Sequence, residues 1–489
     1  MKKVLAVLVA VPALLVGVAL VRALTLRPDP PPTVEAVEIP VDERAVAERL
    51  ARALTYPTVS PLPPAEPDSA AFRAFHAFLE ETFPRVHGTL ARETIGGLGL
   101  LYRWEGTSEA APVVLMGHQD VVPVLAGTES DWEHPPFGGV IADGWVWGRG
   151  ALDDKATVLG ILEAVEALLA EGWAPPRTLW LAFGHDEEIG GHNGARAIAE
   201  LLAARGEAPA LVLDEGGTVL PGFPGVDPPV ALVGISEKGY LSLELTAQGL
   251  GGHSSSPPPQ TAIGIVAAAV TRLEADPFPL ALDGTGALLF ERLAPHMGLG
   301  GRLLLGNRWL FGPVLAPLLG RSGEVSALLR TTTAATVFQS GEKDNVLPIE
   351  ARAVVNFRIR PGETVESVTA RVRDVIDDDR VRVRPLESAR DPSPVSDPDS
   401  EAFALLARTI HEVIGTDVVV TPYVVPGGTD AWYYGARSAN VFRFLPIRFE
   451  MEDLARMHGT GERIAVAEYA QAVRFFRRLI QNTEHLPWT

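Results

Sequence analysis

Thr178-Leu179-Trp180-Leu181-Ala182-Phe183-Gly184-His185-Asp186-Glu187-Glu188 decides the fold. The run up to Phe183 is the pattern of a strand buried on both faces. It stops at a glycine and a string of ionisable residues. Adjacent carboxylates such as Glu187 and Glu188 repel one another unless cations stand near. In open α/β sheets, chemistry gathers beyond the carboxyl ends of the strands. Other segments repeat the design. Val113 to Met116 leads into Gly117-His118-Gln119-Asp120, Leu211 to Leu213 into Asp214-Glu215, and Val230 to Val233 is a further short apolar run. Helical stretches, notably Ala156 to Ala170 and Ala195 to Ala204, separate them. The alternation predicts a mainly parallel sheet with helices on both faces.

The ionisable residues after these runs are metal-ligand types. The chain has no cysteine, so any metal must be held by histidine and carboxylate, and disulfides and thiolate catalysis are excluded. His118-x-Asp120 places a carboxylate where it can accept the far ring N–H of a ligand histidine. Asp153 follows the glycine-rich turn Gly148-Arg149-Gly150, where a capping role competes with a bridging one. Of the pair Glu187-Glu188, one can bind metal while the other takes a proton from bound water. Asp214 and His458 complete a set of two His, two Asp and one Glu; the glycines after His458 argue for a loop there.

At 489 residues the chain is too long for one core. The formal charge is −19 and only five residues are Lys, with no basic stripe, so nucleic acid is not an expected partner. Lys2 and Lys3 precede an uncharged apolar run from Val4 to Val21, closed by Arg22. That run is near the lower length for a membrane span and long for a signal-peptide core. Residues 1–25 are expected to form a membrane anchor with the catalytic part outside the cytoplasm; secretion after signal cleavage is the alternative. Residues 26–40, rich in proline, read as a tether. Residues 41–237 and 389–489 read as two parts of one catalytic domain. Residues 238–388 read as an inserted α+β domain, because Tyr240 to Ala247 and Glu350 to Arg360 alternate apolar and polar side chains. Phe278 to Ala335 is a long apolar excursion, expected to pack on the inserted domain or to face lipid.

Together these segments resemble the co-catalytic zinc hydrolases of the aminoacylase, acetylornithine deacetylase and succinyl-diaminopimelate desuccinylase family, over about Val41 to Asn482. The branch most similar is that of carboxypeptidase S, which includes secreted N-acyl-amino-acid synthase/hydrolases; Val441 to Ile447 and His458-Gly459 carry that likeness. The resemblance implies two zinc ions per chain. His118, Asp153 and Asp214 would hold one, and Asp153, Glu188 and His458 the other, with Asp153 bridging. Glu187 would be the general acid/base and Asp120 the partner of His118, and a cis peptide would join Asp153 to Asp154. In the inserted, dimerisation-type lid, Gly251 to Ser255 resembles the family's lid histidine segment, so that His253 would polarise the scissile carbonyl, often from a partner subunit of a homodimer. Asn345 and Arg358 would bind substrate, and Gly427-Gly428 would offer N–H groups to its carboxylate. The aromatic tail Trp432-Tyr433-Tyr434 departs from the branch and would narrow or reshape the pocket.

The implied reaction is hydrolysis of the amide bond of N-acyl amino acids or short peptides bearing a free carboxylate. A dipeptidase or carboxypeptidase without acyl-chain preference is the alternative within the class. Outside it stand an inactive metal-binding protein, against which Glu187 argues, since a pure binder needs no free base beside its ligands, and a membrane scaffold, against which the full ligand set argues.

Overall fold

A computed structural model describes residues 2–28, 30, 33–63, 65–450 and 452–487, without the side chains of 2–9 and 324. The strands Val113–His118, Leu179–Gly184 and Leu211–Asp214 are buried at every position, as their unbroken apolar runs require. They pair in parallel, with Val113 opposite both Leu179 and Leu211, and Val441–Arg443 adds in parallel beside Leu211–Asp214. The full nine-stranded sheet is mixed, which corrects the expectation of a mainly parallel one. Ala91–Ile95 and Gly99–Trp104 are joined through Gly96 and Gly97, both at positive φ, and a short hairpin can only connect antiparallel strands. On the other side, Val230–Glu237 and Val419–Val425 run parallel to each other, and Val230–Glu237 runs antiparallel to Val441–Arg443.

Helices cover both faces. Lys155–Ala170, Val466–Asn482, Glu401–Val413 and Glu43–Ala53 enclose the larger core, and Ala195–Ala204 covers the opposite face. Ser400 starts one of them by accepting a hydrogen bond from the Phe403 amide, a cap worth about 1 kcal/mol. Sheet membership changes at Lys238. Gly239–Gln248 lies in a separate antiparallel sheet with Thr332–Ser340, Glu350–Ile359 and Val381–Pro385. Ala262–Ala275 and Val365–Ile376 pack against it around a second core.

The apolar excursion forms four helices, Gly284–Leu293, Leu299–Leu305, Arg308–Leu319 and Gly323–Leu329. Apart from Phe278 its side chains do not join the lid core. Leu289, Phe290 and Leu293 pack with Val230, Val419 and Tyr423, so the excursion covers the outer edge of the catalytic sheet rather than resting on the inserted domain. An edge strand has an exposed row of backbone groups and apolar side chains that such a cover protects.

Residues Lys2–Thr25 are helical. Among the described residues, no helix is long and apolar enough to cross a membrane. The tether is shorter than its proline content suggests, and its Pro31 and Pro32 lie outside the described residues. The Val37 amide already donates to the Glu412 carbonyl at 2.9 Å, and the Ile39 carbonyl accepts from Arg474 Nε at 3.1 Å.

Candidate active site

The three central strands end side by side, so the residues that follow them converge. His118 closes its strand, and its Nδ1 faces the Asp120 carbonyl oxygen at 3.0 Å. That contact leaves Nε2 directed at carboxylates, 2.8 Å from Asp153 Oδ1 and 3.5 Å from Glu215 Oε1. The other oxygen of Asp153 lies 2.8 Å from His458 Nε2, and His458 Nε2 also lies 3.3 Å from Glu188 Oε2. One carboxylate thus spans two histidines brought from opposite ends of the chain. The bond Asp153–Asp154 is cis, as expected. A side chain at Gly150 would strike Val121 and its φ is positive, so the turn before Asp153 needs that glycine.

Charge balance says what the cluster can hold. Asp153, Asp154, Glu187, Glu188 and Glu215 crowd around two imidazoles. Burial works against ionising Asp153, but hydrogen bonds from His118 and His458 outweigh it and hold its carboxyl low. Hydrogen bonds to Asp153 and Glu188 push the His458 imidazole up to about 10. Burial pushes Glu215 up to about 7. It also raises Glu187 well above the usual carboxylate range, with His118 opposing and Asp430, Glu215 and Glu188 adding to the rise. The Oδ1 atom of Asp154 is buried with no hydrogen-bond partner among the described residues. An excess of buried carboxylate oxygens beside two histidines fits divalent cations of the zinc type.

Asp214, expected as a ligand, makes no ion pair with either histidine among the described residues. Its carboxylate accepts the Ala431 amide at 2.7 Å, and Glu215 stands at the cluster in its place. The strand ends at Asp214, so Glu215 lies in the bend after it and turns toward His118, 3.5 Å from its Nε2. Asp120 does more than face His118: its two oxygens accept the amides of Glu187 and Glu188, each at 3.2 Å. It therefore fixes the turn that presents the acid pair.

Sequence reasoning gave no role to the strut beneath the site. Arg149 and Glu462 form a fully buried ion pair at 2.6 Å. Glu462 also accepts the amides of Leu152 and Asp153, while Arg149 donates to the Gly459 carbonyl. The pair locks the Asp153 loop to the His458 loop. Glu462→Ala leaves Arg149 buried without its counter-ion, and is expected to cost about 3–5 kcal/mol. Weaker metal binding should accompany that loss, read by denaturant unfolding and zinc titration; unaltered metal affinity would show that the loops are held another way.

A second cluster lies where the lid sheet meets the catalytic loops. Arg358 stands opposite Tyr240 in the lid sheet, and Arg390 is paired with Tyr240 from the other side, so both arginines flank one tyrosine. The Arg358 guanidinium lies 4.8 Å from the Tyr240 ring centre. Arg390 lies 5.6 Å from the Trp432 ring centre, and any side chain at Gly428 would collide with its guanidinium. Gly427 precedes in the same loop, and the next amide, Thr429, donates to buried Glu237 at 2.6 Å. Arg390 was not legible from the sequence. Tyr433 donates to the Gly190 carbonyl, and Tyr434 is buried in the core. His253 and Asn345 meet in the short ribbon Gly252–His253 with Val346–Leu347, where the Ser254 amide donates to the Asn345 carbonyl at 3.1 Å. Both are exposed, and among the described residues no hydrogen bond or ion pair joins either to the metal-type cluster.

The model of Peptidase family M20/M25/M40 matches residues 114–482. The chain belongs to this family. It is 43% identical over 445 residues to a probable carboxypeptidase S-like 2 of Dictyostelium discoideum, covering 90% of this chain and 85% of that protein. It is 42% identical over 454 residues to the N-fatty-acyl-amino acid synthase/hydrolase PM20D1 of Xenopus tropicalis, covering 91% and 88%. The M20 metallo-carboxypeptidase Sso-CP2 of Sulfolobus solfataricus shares the fold, with a TM-score of 0.65 at 18% identity, covering 90% of this chain and 99% of that one. This M20 protein is an enzyme of the metallopeptidase and amidohydrolase type, on the carboxypeptidase S side of the family.

Proposed function

We propose that the protein hydrolyses the amide bond of N-acyl amino acids bearing a free carboxylate, using two zinc ions bridged by Asp153. The observation that carries this reading is the Asp153 carboxylate set between His118 and His458, with the acid pair Glu187-Glu188 beside it. In this reading His118, Asp153 and Glu215 hold one ion, and Asp153, Glu188 and His458 the other. The ions would supply a water of lowered pKa and a Lewis acid for the carbonyl oxygen. Glu187 accepts the proton of the attacking water and delivers it to the nitrogen as the C–N bond breaks, leaving a carboxylic acid and a free amino acid. Asp120 positions Glu187 through its backbone amide.

Arg358 and Arg390 bind the substrate carboxylate, aided by the Gly427-Gly428 loop; the planar guanidinium suits that partner. Arg390→Ala is expected to raise KM for an N-acyl amino acid by about 10–100-fold, the equivalent of a charge-assisted hydrogen bond of about 1.5–3 kcal/mol. The matching amino-acid amide, which lacks the charge, should be nearly insensitive, and equal effects on both would remove Arg390 from carboxylate recognition. His253 and Asn345 act on the substrate bound by a partner subunit. Their exposure supports that assembly, as does the open face of the lid edge strand Thr332–Ser340. The enzyme works outside the cytoplasm at a membrane, a reading supported by the apolar run after Lys2-Lys3.

Long acyl chains are the favoured acyl group, because each buried methylene contributes up to about 0.8 kcal/mol. Dipeptides are the competing substrates. Measuring kcat/KM over an acyl chain-length series and a few dipeptides separates them: a rise with chain length supports the acyl reading, and faster dipeptides with a flat series would replace it by carboxypeptidase action.

A further inference from the structure

We infer that the helix Arg308–Leu319, with Leu299–Leu305 and the described end of Lys2–Thr25, forms a face that lies in the headgroup and upper acyl layer of an anionic bilayer. The inference is independent of the catalytic reading.

The helix Arg308–Leu319 carries one charge, at its first residue, and is apolar all round. A helix of that kind belongs in a core or in lipid. Leu315 is buried on the inner side, yet Trp309, Val314 and Leu318 are 53%, 67% and 54% exposed. Pro313 and Pro317 lie on the same open side, so that side offers water no polar side chain. The face does not end with this helix. Ala19 and Ala23 are fully buried where the N-terminal helix meets Leu299–Leu305, and Asn307 Nδ2 donates to the Ala19 carbonyl at 3.0 Å. Arg302 reaches the Leu26 carbonyl, and the outward residues of that helix, among them Leu14, Val21 and Leu24, are again apolar. Monomeric proteins rarely leave a contiguous apolar surface of this extent open to water.

Charge selects the occupant. The chain as a whole carries −19, yet residues 1–28 and 292–323 contain no acidic residue, and these are the two stretches that pack together. The first supplies Lys2, Lys3, Arg22 and Arg27, the second Arg292, Arg302, Arg308 and Arg321. Arg292 and Arg308 are paired with Asp399 and Glu291, while Arg302 donates to backbone carbonyls, which do not cancel its charge. An apolar plane set among arginines, with a tryptophan in it, is complementary to acyl chains beneath anionic headgroups.

The test uses the full chain reconstituted in vesicles whose acyl chains carry bromine, a quencher of tryptophan emission. In phosphatidylglycerol vesicles the wild type is expected to lose emission that Trp309→Phe does not lose, and the difference should shrink in phosphatidylcholine. Trp309→Phe keeps an aromatic at an exposed position, so misfolding does not confound the comparison. Equal fractional quenching of the two proteins would overturn the inference. So would a detergent-free dimer that Val314→Glu with Leu318→Glu dissolves, which would assign the face to a second copy of the chain. Equal quenching differences in both lipids would remove the anionic requirement.

Discussion

Glu187→Gln is expected to lower kcat/KM by about 10²–10⁴-fold while both metal ions stay bound. The substitution keeps the shape of the side chain and leaves its backbone amide on Asp120. Neither histidine of the cluster is hydrogen-bonded to Glu187; His118 meets Asp153 and His458 meets Asp153 and Glu188. What glutamine cannot do is accept the proton of water. Burial and neighbouring carboxylates push the Glu187 carboxyl upward, and two dications would pull it down toward the working range of a base. Metal analysis and kinetics on one preparation read both halves of the expectation. Loss of metal would make Glu187 a ligand, and retained turnover would remove it as the base.

Asp153→Ala should have the larger effect on composition, releasing both ions together and abolishing turnover. Its two oxygens serve both histidines, and its negative charge offsets repulsion between two cations at close range. Removing it leaves each half-site with one histidine and one glutamate, too few donors for a tetrahedral ion. His118→Ala should instead spare part of the second half-site, built on Glu188 and His458. Normal stoichiometry in Asp153→Ala by metal titration would show that the carboxylate does not bridge.

Much of this was legible because burial writes itself into local sequence. Unbroken apolar runs marked the central strands and the charged residues after them marked His118, Glu187 and Glu188; Asp153 stood out only by its glycine turn, and the roles of all four came from the resemblance to the family. Glu215 was hidden beside Asp214, because composition does not say which of two adjacent acids turns toward the histidines once the strand has ended at Asp214. Arg149–Glu462 and Arg390 depend on contacts between segments far apart in the chain, for which periodicity has no register. The mixed sheet escaped because whether a strand pairs parallel or antiparallel is set by its connections: Ala91–Ile95 and Gly99–Trp104 close a short hairpin, and Val230–Glu237 leads into the inserted domain. The excursion was visible as apolar, but its partner, the edge strand Val419–Val425, was not.

Metal-dependent amide hydrolysis at a two-ion site is open to one titration. The protein is stripped with a chelator, zinc is added back in fractions of an equivalent, and amino-acid release from an N-acyl amino acid is followed. No release is expected from the stripped protein, followed by a rise that levels off at two equivalents. Release that is complete without zinc, or absent at every stoichiometry from acyl amino acids and dipeptides alike, would contradict it.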